Sequence, residues 1–253
     1  MSEILLVLLA GVAAGALNAV GGGGTFVALP ALVAVGLSPV TANASSTVAL
    51  APGALASAWV YRRQLTPVGT VSTTSLTTVS VIGAGLGAGL VLALPAVSFA
   101  AAVPWLLAFA TLVLAFGRRV SRAVGAATGR SVGMTSRAVL ICQFLLAVYG
   151  GYFGGAVGIM MLALWSIGLG IDTAVSNPMR ITQFAAICLS ASALFLIASD
   201  ALDSPLFLAA LLAGAVAGGL AGAHLALRLP ARLLRGTVLT TAATMTVLYF
   251  LRS

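Results

Sequence analysis

Residues 18–26 read Asn18-Ala19-Val20-Gly21-Gly22-Gly23-Gly24-Thr25-Phe26, four consecutive glycines inside an apolar run that would otherwise pass for a membrane helix. Each glycine disfavours helix by about 1 kcal/mol relative to alanine, so four together end the helix within the apolar layer. Bare backbone is tolerated at that depth only where it faces protein or a water-filled cavity. A second interruption, Gly150-Gly151-Tyr152-Phe153-Gly154-Gly155-Ala156-Val157-Gly158, falls in the other half of the chain. Paired breaks in corresponding positions of two halves point to the binding site of a transporter.

With 61% hydrophobic and 6% charged residues over 253 positions, the chain lies far from soluble domains and among multi-span membrane proteins. The net charge of +8 comes from twelve arginines and no lysine. Most of them sit between apolar runs, where positive-inside anchoring accounts for them and nucleic acid is not an expected partner. Met1-Ser2-Glu3 lacks the basic stretch of a signal peptide, so the N-terminus is expected to stay in the fold. Cys142 and Cys188 stand alone in apolar segments without a CxxC pattern. They are read as packing residues, and no disulfide, metal site or cofactor is expected.

Apolar runs cover residues 4–37 (broken at the glycines), 41–61, 70–94 and 99–116. A polar stretch, 117–136, separates them from 137–169 (broken again), 173–198, 206–227 and 233–251. The predicted fold is an all-α polytopic membrane protein with a first repeat at 1–117, a cytoplasmic polar linker at 118–136 and a second repeat at 137–253. The segment 4–37 would reach roughly 50 Å as one helix, too long for a core of about 30 Å. A re-entrant hairpin fits better, although two short full spans give the same parity. With hairpins, Arg62, Arg63, Arg118, Arg119, Arg122, Arg130, Arg137, Arg228, Arg232 and Arg235 all fall on the cytoplasmic side, and only Arg252 lies outside. Single spans would put the first two groups opposite the third. Three crossings after each hairpin make the second half enter from the opposite face, so the repeats are predicted to be inverted. An offset of 134 residues superposes Gly21 on Gly155, Gly24 on Gly158, Gly36 on Gly170 and Asn43 on Asn177. Gly85 and Gly89, and likewise Gly214, Gly218 and Gly222, have the spacing of faces along which helices approach closely.

Glycine at a hairpin tip exposes N–H groups, and the returning helix points its positive end at the same place, a setting that favours anions. Asn18, Gly22, Gly23, Gly24 and Thr25 form the first such candidate, and Gly154, Gly155 and Gly158 the second. Plain helix packing is the competing explanation of the glycines. Polar helix starts follow each break, with Asn43, Ser46 and Thr47 in one half and Asn177 and Arg180 in the other. The asparagines either cap helices or reach across to the opposite hairpin; Ser45, Ser46 and Thr47 are open to bonding back onto their own helix. Arg180 is the sharpest candidate, because a charge about two turns into an apolar span wants an anionic partner, a snorkelling route or a pair with Asp172. Gln183, one turn on, would add a neutral donor. His224 reads as a surface or packing residue, with proton relay the minor alternative, and Asp200, Asp203 and Glu3 as solvated ones. No carboxylate is placed for proton carriage.

Residues 18–26 with Pro30, Gly36, Pro39 and Ala42-Asn43-Ala44, and the run Tyr149-Gly150-Gly151-Tyr152-Phe153-Gly154-Gly155-Ala156-Val157-Gly158-Ile159-Met160-Met161-Leu162, together resemble the two signatures of the TauE/SafE family, the sulfite exporters. The likeness covers nearly the whole chain. It departs from the family pattern at Ser45-Ser46, where a Thr-Asn-like pair is usual, and at Asn177-Pro178-Met179-Arg180, where relatives often carry an Asn-Ala-Leu-Lys-like run. Arg180 would keep that charge as a planar, bidentate donor. The resemblance implies transport of a small anion such as sulfite or an organosulfonate across the inner membrane. The expected partners are that anion and the lipid bilayer, and a homo-oligomer is compatible with the sequence. A passive anion channel with the same lining is the alternative. An intramembrane enzyme is disfavoured, because one histidine, no GxSxG and no metal cluster supply neither nucleophile and base nor Lewis acid.

Overall fold

The computed structural model describes residues 1–21, 23–128 and 133–226, with isolated positions at 240, 243, 244 and 247. Gly22, Arg130, Arg228, Arg232, Arg235, Arg252 and nearly all of the predicted span 233–251 lie outside them, as do the side chains of Arg118, Arg119, Arg122 and His224. Every regular element among the described residues is helical: α1 (Ser2–Gly21), α2 (Thr25–Ala34), α3 (Pro39–Tyr61), α4 (Thr73–Ala93), α5 (Ala96–Thr128), α6 (Ser136–Tyr152), α7 (Val157–Leu169), α8 (Thr173–Ala198) and α9 (Pro205–Ala226), with a 3-10 turn at Asp200–Leu202. Both predicted breaks are present, between α1 and α2 and between α6 and α7. α5 continues to Thr128, so the first part of the polar stretch is helix.

Thr73–Ala93, Ala96–Val113 and Val175–Ala198 are long and apolar enough to cross a membrane by length and composition. α3 is equally long at 23 residues, but its first turns are polar and buried, with Asn43, Ser45 and Ser46 no more than 1% exposed. The protein is an integral membrane protein.

Hydrogen bonds fix which helix ends share a level. The Met134 N–H donates to the Gly168 carbonyl (3.0 Å), so the chain that enters α6 meets the chain that leaves α7. Thr70 and Ser136 share a hydroxyl bond of 2.7 Å, and Thr66 donates to the Val175 carbonyl at 3.3 Å, which gathers the starts of α4, α6 and α8 at that same level. At the other end of α3, Ser45 donates to the Ala201 carbonyl just beyond α8 (3.4 Å), so α3 and α8 run antiparallel.

Helix neighbours repeat between the halves. α1 packs along α9 as α6 packs along α4, α2 lies on α3 as α7 lies on α8, and α3 meets α9 as α8 meets α4, with α3 against α8 at the centre. Glycine permits the two long pairings. A methyl group at Gly214 or Gly218 would overlap the Leu8 or Val12 carbonyl of α1, and one at Gly83 or Gly87 the Phe144 or Val148 carbonyl of α6. Close approach in α4 thus uses Gly83 and Gly87, whereas Gly85 and Gly89 face Ser190 and Leu194 of α8 at ordinary separations. The spacing of the two glycine pairs is the same, and only the neighbour that each face meets distinguishes them.

Gly87→Ala is therefore expected to lower stability by about 1–3 kcal/mol through overpacking, seen as a drop in melting temperature in detergent. Gly53→Ala, at a helical position with no heavy atom within 4 Å of the added carbon, is expected to hold or raise it through helix propensity.

Candidate functional site

The second break is built by local backbone geometry. α6 closes at Tyr152, and the Phe153 and Gly154 N–H groups donate back to the Tyr149 carbonyl at 2.9 and 3.4 Å. Gly154 and Ala156 then adopt left-handed conformations (φ 79° and 59°) that turn the chain into α7. Glycine takes this shape freely, whereas alanine at 156 carries a modest strain. The Tyr149 hydroxyl donates to the Gly155 carbonyl at 2.9 Å and braces the turn from inside α6.

At the start of α7 the first bonded amides are those of Ile159 and Met160, both to the Ala156 carbonyl. The N–H groups of Val157 and Gly158 have no acceptor among the described residues. They form the positive end of the α7 dipole. Arg180 reaches this end from α8. Its Nε donates to the Asn177 Oδ1 at 2.9 Å, and a β-carbon at Gly158 would sit 2.8 Å from one of its terminal nitrogens. Gly158 thus leaves the space that the guanidinium occupies, and Arg180 is only 9% exposed.

The first half reaches the same break from the other side. Asn43 Nδ2 donates to the Tyr152 carbonyl at 3.1 Å, satisfying one of the acceptors that the end of α6 leaves open. Thr25, the first residue of α2, lies with its hydroxyl 3.8 Å from where a β-carbon on Gly154 would be. Gly24 is required by α1, since a β-carbon there would come within 2.7 Å of the Ala14 carbonyl. Gly23 and Gly24 are buried, and Asn18 is half-buried in the last turn of α1.

Of the residues singled out in the sequence, the structure gathers Thr25, Asn43, Gly154, Gly155, Gly158, Asn177 and Arg180 around the second break. Neither asparagine is a cap: Ser38 caps α3 by accepting from the Thr41 N–H, and Asn177 lies inside α8. Ser46 and Thr47 both donate to the Asn43 carbonyl at 2.9 Å, bonding back onto their own helix. Gln183 is buried away from the break, with its Oε1 accepting from Ser80 (2.9 Å) and its Nε2 donating to Thr77 (3.0 Å). Tyr149 and Gln143 were not singled out. Gln143, a lone amide in an apolar run, carried a signal that the sequence offers.

The family model described as sulfite exporter TauE/SafE matches residues 7–249. The chain belongs to the TauE/SafE family. No curated protein and no solved structure matches it. In this TauE/SafE protein both motifs that carry the family likeness therefore meet at one place, Thr25 and Asn43 from the first and the whole second break from the other.

Asn43→Ala would strip the Tyr152 carbonyl of its donor inside the bundle and is expected to cost about 1–3 kcal/mol. Thr47→Val, which removes a bond within one helix, is expected to cost less. Equal melting temperatures for the two variants would contradict the cross-connection.

Proposed function

We propose that this TauE/SafE protein is an inner-membrane transporter of a small sulfite-type oxyanion, bound at the second break. The observation that carries the reading is the placement of the Arg180 guanidinium beside the N-terminal turn of α7. An oxyanion lying between these two positive features is attracted by both. Arginine presents paired N–H groups suited to two oxygens of one oxyanion. The amides of Val157 and Gly158, without an acceptor among the described residues, supply further donors.

Inverted repeats and alternating access complete the proposal. They are supported by the matching helix neighbours of the two halves, by the antiparallel α3 and α8, and by the joined ends of the α6–α7 unit. A unit that begins and ends at one level is what a re-entrant hairpin requires. Arg62, Arg63 and Arg137 then lie on the same, cytoplasmic, side as the starts of α4, α6 and α8. Movement of one repeat against the other about the α3–α8 contact would expose the break to each face in turn.

Sulfite uptake or release by proteoliposomes tests this. Arg180→Ala is expected to lower flux about tenfold or more, the loss of a charged hydrogen bond to the anion. Gly158→Ala, which pushes on the flexible guanidinium and not on backbone, should lower flux with little change in melting temperature. Wild-type flux in Arg180→Ala at equal membrane content would overturn the assignment of the site.

A further inference from the structure

A second polar cluster lies where α4, α6, α7 and α8 come together. Gln143 Nε2 on α6 donates to Ser80 Oγ on α4 (2.9 Å), Ser80 donates to Gln183 Oε1 on α8 (2.9 Å), and Gln183 Nε2 donates to Thr77 Oγ1 on α4 (3.0 Å). Gln143, Ser80 and Gln183 are completely buried. Thr77, the outer end of the chain, lines an open groove of about 460 Å³ with Thr73, Thr74, Thr78, Val81 and Ile82.

The inner end of the chain is unfinished. Gln143 Oε1 is buried with no partner among the described residues, and so is the indole N–H of Trp165 on α7. Met161 stands next to both residues: its sulfur lies 3.7 Å from Gln143 Nε2, and Trp165 follows it by one turn on the same helix face. An unpaired acceptor and an unpaired donor, each fully buried, each forfeit about 1–3 kcal/mol if left so. The oxygen and nitrogen of both glutamines are assigned from the network, so the chain can also run in the reverse sense. In either sense Gln143 ends on an unpaired atom. A hydroxyl group, both donor and acceptor, satisfies it either way.

We propose that Gln143 and Trp165 form a second binding site, which takes a small hydroxylated guest whose oxygen accepts from the Trp165 N–H and whose O–H donates to Gln143 Oε1. Two guests share that chemistry, a water molecule and the protonated form of a sulfite-type oxyanion. The oxyanion arm rests on the proposed function, and the water arm does not.

Trp59→Phe with Trp105→Phe leaves Trp165 as the sole tryptophan, and both replaced side chains are about two-thirds exposed, at 68% and 69%. Ultraviolet resonance Raman of this variant in lipid vesicles reads whether the indole N–H is hydrogen-bonded. A bonded signature is expected, and Gln143→Met in the same background is expected to shift it towards the unbonded position. A bonded signature without sulfite assigns the guest as water; one that appears on adding sulfite at acidic and not at alkaline pH assigns it as the protonated oxyanion. An unbonded indole under every condition overturns the site, as does a bonded signature that Gln143→Met leaves unchanged. Sulfite flux in the same vesicles separates the two proposals: flux with an unbonded indole sinks this site alone, and a bonded indole without flux sinks the transport reading alone.

Discussion

A peptide group left unpaired in hydrocarbon costs several kcal/mol, so a broken helix inside a membrane protein survives only if other parts of the molecule supply its hydrogen bonds. The break between α6 and α7 shows how this requirement organises the molecule. Tyr149 braces the Gly155 carbonyl from within α6, and Asn43 satisfies the Tyr152 carbonyl from the other half of the chain. Placing Asn43 there sets the position of α3, and α3 meets α8 at the centre of the fold. The amides at the start of α7, without an acceptor among the described residues, lie at the helix end that Arg180 reaches. Structure and site are thus two consequences of the same unpaired backbone.

Close packing holds the frame around this break. α1 lies against α9, and α4 against α6, at distances that admit no side chain at Gly214, Gly218, Gly83 or Gly87. In a bilayer, where lipid tails are as apolar as the helices, such backbone approach takes over the role that the hydrophobic effect has in water. The two halves share these contacts but not their polar interior. The Thr77–Gln183–Ser80–Gln143 chain occupies the α4–α6 side, whereas on the α1–α9 side Gly214 stands against Leu8 with no comparable hydrogen-bonded chain among the described residues. Matching helix pairs thus carry a one-sided polar lining.

Much of this was legible in the sequence because glycine reports backbone directly. Four glycines in an apolar run end a helix whatever surrounds them, and the repeat offset picked out Asn43 and Asn177 together. What local pattern could not supply was direction. Gly83, Gly85, Gly87 and Gly89 all lie on α4 with alternate spacings that read alike, and only the neighbour shows which face is pressed against backbone. Gln183 follows Arg180 by one turn, which fixes its side of the helix and not its partners; those, Ser80 and Thr77, are about a hundred residues away. Tyr149 was hidden although its partner, the Gly155 carbonyl, is only six residues on, because the left-handed turn at Gly154 and Ala156 decides which carbonyl its hydroxyl meets.

The central claim is that the breaks of the two halves form one moving site. Replacing Thr25 and Gly154 by cysteine, with Cys142→Ala and Cys188→Ala, tests it directly, because the Thr25 hydroxyl, whose place a cysteine sulfur would take, lies 3.8 Å from the position of a β-carbon on Gly154, so that a disulfide needs a small shift of the turn and a strained residue at the positive φ of position 154. Oxidation in membranes is expected to join the pair and to arrest sulfite flux, with flux restored on reduction. A folded protein in which the pair does not join, or in which joining leaves flux unchanged, would contradict the account.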